Sequence, residues 1–197
     1  MTREELAHEI AVGLIETGVE GVFESISCST AGDYPSIGIS QWEGPRADKL
    51  LSTLGLNAYI GKSYSYLNSH NMLNPLSNIL DSSKGRQAQL KQLENDCLIY
   101  VDTLWETVET LDQTLPTIYA GIWCPTSHYV VSKFLRKKEQ EGFDLRNLEV
   151  VRNLFRDQYA QYAYIPSIYY AGYRNRANNT YEYVKKLNPN KVTEVNY

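Results

Sequence analysis

Apolar residues recur at helical spacing along most of this 197-residue chain, and this pattern constrains the fold more than any other feature. The longest apolar stripe predicts a helix over residues 85–112 and consists of Leu90, Leu93, Cys97, Tyr100, Leu104, Val108 and Leu111. Shorter stripes predict helices over residues 3–16, 126–138, 145–163 and 167–187, and Pro45 predicts the start of another helix over residues 44–54. Thr2 is the expected N-cap of the first. The sequence therefore predicts a mainly α protein.

Evidence for β structure is confined to residues 34–42, which Gly38 interrupts. The preceding Ser-, Thr- and Gly-containing segment, residues 27–32, allows the chain to fold back and form a small hairpin. The Asn- and Ser-rich segment 55–85 predicts a long surface loop with one helical turn near Leu76–Leu80, and such loops often carry function. The expected architecture is α+β, a helical bundle with a β-hairpin. One domain would span residues 1–187, with a loose tail at 188–197.

Charge and composition exclude several functions. The net charge is −4 and the isoelectric point is near 5.4, which argues against a general nucleic-acid or anionic-membrane binder. No apolar run approaches the ~18 residues of a membrane span, so we expect no membrane insertion. Acidic residues interrupt the N-terminal apolar pattern, which predicts a cytoplasmic start. The three cysteines lack metal-type spacing, and we expect neither a metal nor a cofactor.

Two glutamates, Glu20 and Glu24, lie just before the predicted hairpin. A carboxyl group at the end of an apolar helix is partly removed from water and keeps its proton to higher pH, as a general acid requires. Cleavage of a glycosidic bond commonly uses one such acid and a second group that holds water or stabilises positive charge. The sixteen tyrosines allow stacking on sugars, although core packing also explains them. Spacing alone leaves open that both carboxylates are merely solvated.

Residues 20–47 resemble the active-site region of lysozyme-like cell-wall hydrolases, most closely phage endolysins of Gram-positive hosts. The shared pattern is a Glu-Gly pair that ends a helix, a Ser/Asp/Gly loop, Ser-Ile-Gly, Gln-Trp, and a helix start at Gly-Pro-Arg-Ala. A weaker similarity covers residues 169–187, which resemble the closing helix of those lysins. The resemblance implies a lysozyme-like fold with the hairpin lining a cleft. It also implies hydrolysis of the β-1,4 bond between N-acetylmuramic acid and N-acetylglucosamine in peptidoglycan.

The resemblance also implies roles for individual residues. Glu20 fits the family spacing to the Ser-Ile-Gly turn better than Glu24, which is the alternative acid or a surface residue. Asp33 or Ser36 would supply the second catalytic group, with a turn-capping role as the alternative for each. The expected substrate contacts, among which Trp42 also fits a core position, are Tyr34, Gln41, Trp42, Tyr169 and Tyr170.

Three other interpretations compete with a muramidase. A lytic transglycosylase would use the same glutamate and the substrate's own 6-hydroxyl group. A non-catalytic cell-wall or assembly protein would keep only the scaffold. A cysteine hydrolase around Cys124 and His128 lacks a recognisable third member.

An enzyme of the endolysin kind acts on the glycan strands of peptidoglycan. It would remain in the host cytoplasm until a holin releases it, or it would be carried on the virion. A separate wall-binding module is a further expected partner.

Overall fold

The computed structural model describes all 197 residues and contains helices together with one two-stranded antiparallel sheet. The helices are α1 (Arg3–Glu16), α2 (Gly44–Thr53), α3 (Tyr64–Ser69), α4 (Leu73–Asp81), α5 (Ser83–Thr107), α6 (Thr114–Gln140), α7 (Leu148–Leu154), α8 (Ala160–Tyr162) and α9 (Tyr170–Val184). The strands are β1 (Ile26–Cys28) and β2 (Pro35–Ile37). This confirms the prediction of a mainly helical chain with a small hairpin. No helix combines the length and apolar character that a membrane crossing requires.

The chain divides into two compact units. The first unit comprises residues 1–17 and 94–194, and the second comprises residues 18–93 and 195–197. The core of the first unit is aromatic and consists of Tyr119, Trp123, Phe134, Phe155 and Tyr159, which contact one another edge-on or tilted. These tyrosines therefore serve packing, as composition alone favoured.

Helices α1 and α6 of the first unit approach closely at two glycines. A Cβ atom on Gly13 would lie 2.5 Å from Cδ1 of Ile122, and a Cβ on Gly121 would lie 2.2 Å from Cδ1 of Ile10. An isoleucine of each helix thus packs directly against the glycine of the other helix. Because neither contact leaves room for a methyl group, both positions require glycine at this helix separation.

The first helix begins as the sequence predicted. The Thr2 hydroxyl accepts a hydrogen bond from the Glu5 amide at 3.2 Å, and the Glu5 carboxylate accepts one from the Thr2 amide at 2.7 Å. This reciprocal pair satisfies two amides that the first turn of a helix leaves without partners. The N-terminal boundary of α1 is therefore set by local chemistry.

A histidine of α1 fixes the end of the first unit. His8 donates Nδ1 to the Glu94 carboxylate at 2.7 Å and Nε2 to the Thr193 carbonyl at 2.9 Å. Both ring nitrogens donate, which requires the protonated ring, and the bond to Glu94 is the main reason that the pKa of His8 is raised. The buried Glu9 carboxylate also accepts from the Thr193 amide and hydroxyl. Residues 188–197 form no helix or strand, yet Thr193 is held in place.

Two predicted helix boundaries were wrong. Helix α6 begins at Thr114, whereas the sequence predicted a start near residue 126. Residues 116–124 are buried on every side, so they lack the polar face on which amphipathic periodicity depends. The backbone of Ser127 is extended (φ −175°, ψ 106°), and the predicted helix corresponds to the segment that resumes after this interruption. Helix α5 ends at Thr107, before the buried Val108 and Leu111 of the predicted stripe.

The predicted surface loop at residues 55–85 was also wrong, except that its one helical turn near Leu76–Leu80 lies within α4. This part of the second unit contains α3, α4 and the start of α5, and it buries Leu67, Leu76 and Leu80. Ser63 caps α3 by accepting a hydrogen bond from the Tyr66 amide at 3.1 Å. The helices are short and rich in Asn and Ser, which hides their periodicity in the sequence.

Candidate functional site

The segment Glu20-Gly21 lies against the turn that follows β2, all within the second unit. The Gly21 amide donates to the Ile39 carbonyl at 2.7 Å, and the Gly38 amide donates to the Ser25 carbonyl at 2.8 Å. A Cβ on Gly21 would lie 3.2 Å from the Ile39 oxygen, so glycine permits this close approach. The side chain of Glu20 is half-buried. The backbone of the Glu20-Gly21 pair is therefore held next to the turn that follows β2.

A tight turn over residues 38–41 organises the hairpin. Ile37 and Trp42 exchange backbone hydrogen bonds at 2.9 Å in both directions, and Gly38 has a φ of +72°. Gln41 is also left-handed at φ +48°, which is uncommon for a residue with a side chain. Strained positions of this kind cluster at functional sites.

The Gln41 amide, a predicted substrate contact, is used within the hairpin. Its Nε2 donates to the Ser25 hydroxyl at 2.8 Å and to the Gly38 carbonyl at 2.9 Å, while its Oε1 accepts from the Ser27 hydroxyl at 2.6 Å. The bonds to Ser25 and Ser27 hold the turn against the segment that leads from Glu20 into β1, and the bond to Gly38 lies within the turn. A substrate contact through Gln41 would have to replace one of them.

Gln89 of α5 binds the backbone of the same turn with its side chain. Its side chain is fully buried; Oε1 accepts from the Ile39 amide at 2.8 Å, and Nε2 donates to the Phe23 carbonyl at 3.2 Å and the Leu80 carbonyl at 2.9 Å. One carboxamide thus joins the segment after Glu20, the turn and the end of α4. The candidate site is supported by a residue fifty positions away from it in sequence.

Ser36 forms a pair with Glu43 at the base of the turn. The buried Ser36 hydroxyl donates a short hydrogen bond to the half-buried Glu43 carboxylate. Glu43 immediately precedes α2, although its side chain does not cap that helix. The predicted water-holding hydroxyl is therefore coupled to a carboxylate, a combination suited to orienting a water molecule.

Asp33, the alternative second group, caps a helix. Its carboxylate accepts hydrogen bonds from the Ser65 hydroxyl and from the Ser65 amide, the latter at 2.9 Å, at the start of α3. These bonds stabilise the charged form and lower the pKa of Asp33. A carboxylate with a lowered pKa is a weak base. The bonds tie the loop to the start of α3, which is neither the catalytic role nor the turn-capping role that the sequence left open.

Tyr34 and Trp42 have contrasting surroundings. Tyr34 is half-buried and lines a cavity of about 190 Å³ together with Asp33, Asp48 and Lys62. Trp42 is only 1% exposed, so its indole presents no face to a sugar and packs in the core of the second unit. The alternative core role that the sequence allowed is the one observed.

The remaining predicted residues lie elsewhere. Glu24 is exposed, and its backbone carbonyl accepts a hydrogen bond from the Ser77 hydroxyl at 3.0 Å. Tyr169 and Tyr170 belong to the first unit, at the start of α9, where Tyr169 is 55% exposed and Tyr170 half-buried.

The cysteine-hydrolase alternative finds no support. Cys124 is buried, its thiol donates to the Ala120 carbonyl, and burial strongly raises its pKa. Burial lowers the pKa of His128, whose ring packs against Tyr100 and Tyr129. A protonated thiol is a poor nucleophile. No group of three or more His, Cys, Asp or Glu side chains is arranged to hold a metal ion.

Three residues at the site were not predicted from the sequence: Glu43, Gln89 and Ser65. The position of Glu43 was readable in principle, because a turn over residues 38–41 pairs Ile37 with Trp42 and therefore sets Ser36 opposite Glu43. Gln89 and Ser65 gave no local signal, since each acts on the turn or the loop through contacts distant in sequence.

Comparison with protein-family profiles, with curated proteins and with solved structures finds no significant match for this chain.

Proposed function

We propose that this protein is a lysozyme-like peptidoglycan glycosidase in which Glu20 is the general acid. The observation that carries the proposal is the 2.7 Å hydrogen bond between the Gly21 amide and the Ile39 carbonyl, which joins the glutamate segment to the Ser-Ile-Gly turn. The half-buried Glu20 and the left-handed backbone of Gln41 support it further.

In the proposed hydrolysis, Glu20 donates its proton to the oxygen between N-acetylmuramic acid and N-acetylglucosamine as the C1–O bond breaks. A water molecule attacks C1 and forms the new C–O bond. The Ser36–Glu43 pair is the proposed site for this water, and the Glu43 carboxylate receives its proton. Asp33 has no role in this scheme, because its carboxylate is bonded to the start of α3.

Lytic transglycosylation is the second candidate, and the position of Asp33 favours it. That reaction needs a single acid: Glu20 protonates the leaving oxygen, the 6-hydroxyl of the muramyl residue attacks C1, and its proton returns to Glu20. The product carries a 1,6-anhydro ring. A chain whose loop aspartate is engaged elsewhere is compatible with this chemistry.

The decisive experiment compares Glu20→Gln with Glu24→Gln in a turbidity assay on purified Gram-positive cell walls. We expect Glu20→Gln to lose at least about 100-fold in rate, the usual contribution of a positioned acid. Glu24→Gln removes an exposed carboxylate of the same motif and should retain the wild-type rate. Activity that survives Glu20→Gln, or that is lost in Glu24→Gln instead, would overturn the assignment.

Mass spectrometry of the digested wall then distinguishes the two reactions. Reducing N-acetylmuramic acid ends indicate hydrolysis, and 1,6-anhydromuramyl ends indicate transglycosylation. If the folded wild-type protein releases neither product, the non-catalytic scaffold interpretation replaces both. In a lytic setting, a holin-like partner or attachment to a virion would give the enzyme access to the wall.

A further inference from the structure

The first unit contains a large pocket that the proposed reaction does not use. Its volume is about 810 Å³, within the range of ligand sites, and it lies between α6 and the segment around α8. The half-buried Tyr162 provides an apolar wall, and its ring packs on the fully buried Phe134 with the ring centroids 5.2 Å apart. Gln158 and Gln161 add amide groups that donate and accept hydrogen bonds.

The charge of this pocket is entirely positive. Lys133, Lys137 and Lys138 line it, and no acidic side chain does. Lys138 is paired with Glu141 at 2.6 Å, whereas Lys133 and Lys137 are exposed and pair with no carboxylate; the Lys137 Nζ lies 5.8 Å from the centroid of the Tyr162 ring. Lys133 and Lys137 are four residues apart on α6 and therefore share one face. A local positive patch on a chain with a net charge of −4 indicates an anionic ligand.

Tyr164 lies at the pocket rim and presents an exposed aromatic ring there. It ends the helical segment in a glycine-type cap, in which the Ile165 amide donates to the Ala160 carbonyl at 2.9 Å and the Tyr164 amide to the Gln161 carbonyl at 3.1 Å. The capping residue has a φ of +55°, where glycine is favoured. The Tyr164 side chain is 94% exposed, so no packing in this chain compensates for the strained backbone.

We propose that this pocket binds an anionic saccharide. The exposed ring of Tyr164 stacks on a sugar face, Gln158 and Gln161 bond hydroxyl or acetamido groups, and Lys133 and Lys137 pair with a carboxylate. A flat exposed ring beside amide side chains suits a saccharide, and the pocket volume suits a short oligosaccharide. The choice of a muramyl sugar as the anion rests on the proposed function; the anion site itself does not.

The test uses two disaccharides that differ in one carboxylate-bearing lactyl group: N-acetylglucosaminyl-N-acetylmuramic acid and N,N′-diacetylchitobiose. Affinity for the full-length chain is measured by isothermal titration calorimetry, and the location of binding by amide chemical shifts. We expect the carboxylated disaccharide to bind about tenfold more tightly and to shift residues 158–164. The preference should shrink with added salt, because exposed charges are screened.

Three variants identify the groups responsible. Lys133→Gln combined with Lys137→Gln should weaken binding of the carboxylated disaccharide about tenfold, as expected for two exposed ion pairs. Arg136→Gln combined with Lys84→Gln removes the same charge from exposed positions outside the pocket and should leave the affinity unchanged. Tyr164→Gly should raise the melting temperature, since glycine suits the left-handed cap, yet weaken binding of both disaccharides.

The proposal would be overturned by equal affinity for the two disaccharides or by shifts confined to residues outside the pocket. It would also be overturned if adenosine monophosphate, a different anion, bound more tightly than the carboxylated disaccharide. Absence of binding by either disaccharide at millimolar concentration would overturn it as well. These outcomes are separate from the glycosidase assignment, because Glu20→Gln should abolish wall lysis without changing affinity at this pocket.

Discussion

Replacing Gln89 by methionine tests whether one buried amide holds the candidate site together. Methionine has a similar length and fits an irregular core position, so the change removes hydrogen bonds with little change in volume. The fully buried Gln89 side chain makes three bonds, to the backbone groups of Ile39, Phe23 and Leu80.

The expected loss follows from these bonds. Each contributes about 1 kcal/mol net, and a buried backbone group left without a partner costs about 1–3 kcal/mol. With partial relaxation around the three buried backbone groups left without partners, the loss is about 3–6 kcal/mol in the free energy of unfolding. That is a large share of the ~5–15 kcal/mol that stabilises an ordinary domain.

Urea unfolding followed by tryptophan fluorescence and circular dichroism measures this loss. Gln87→Met is the matched control, since Gln87 is exposed on the same helix and makes only a 3.4 Å contact with the Ser83 hydroxyl. We expect the control to change stability by less than about 0.5 kcal/mol. If Gln89→Met also costs less than about 1 kcal/mol, the amide does not hold the turn, and the reasoning is refuted.

Three further predictions concern single residues. Gly38→Ala should lower stability by about 1–3 kcal/mol, because φ is +72° and the new Cβ would lie 2.4 Å from Oε1 of Gln89. His8→Gln should lower the melting temperature most below pH 6.5. The bond to Glu94 raises the pKa of His8, so the contribution of the charged ring to stability is lost as the pH rises through the raised pKa. Asp33→Asn should lower the melting temperature most above pH 3.8. Hydrogen bonds at the start of α3 lower the pKa of Asp33, so its contribution to stability disappears as the pH falls through the lowered pKa.

Thermal melts across a pH series check the two titrating residues, and urea unfolding checks Gly38. A constant difference between His8→Gln and wild type from pH 5 to pH 9 would contradict the role of the ring charge. For Asp33, a difference that grows on acidification would reverse the expected sign. A Gly38→Ala protein as stable as wild type would mean that the turn relaxes without cost.

Local signals in the sequence were sufficient where the interacting groups are close together. The capping box of Thr2 and Glu5 and the Pro45 start of α2 both depend on adjacent residues, and both helices begin as predicted. The hairpin was also readable, because small residues precede a short apolar strand that ends at a glycine.

The sequence failed where long-range contacts decide the structure. The first half of α6 is buried all round, so its burial could be read only from the elements that surround it. The role of Asp33 depended on Ser65, which is 32 residues away and belongs to a helix that was not predicted. Trp42 sits in an active-site-like motif, but the pairing of its backbone with Ile37 turns the indole into the core.

The two glycine–isoleucine contacts between α1 and α6 have an evolutionary consequence. A side chain larger than hydrogen at Gly13 demands a smaller residue than Ile122, and the same holds for Gly121 with Ile10. In homologous chains these positions should therefore vary as coupled pairs, with single changes rare. Such a covariation pattern would mark distant members of this lineage even after the hairpin motif has diverged.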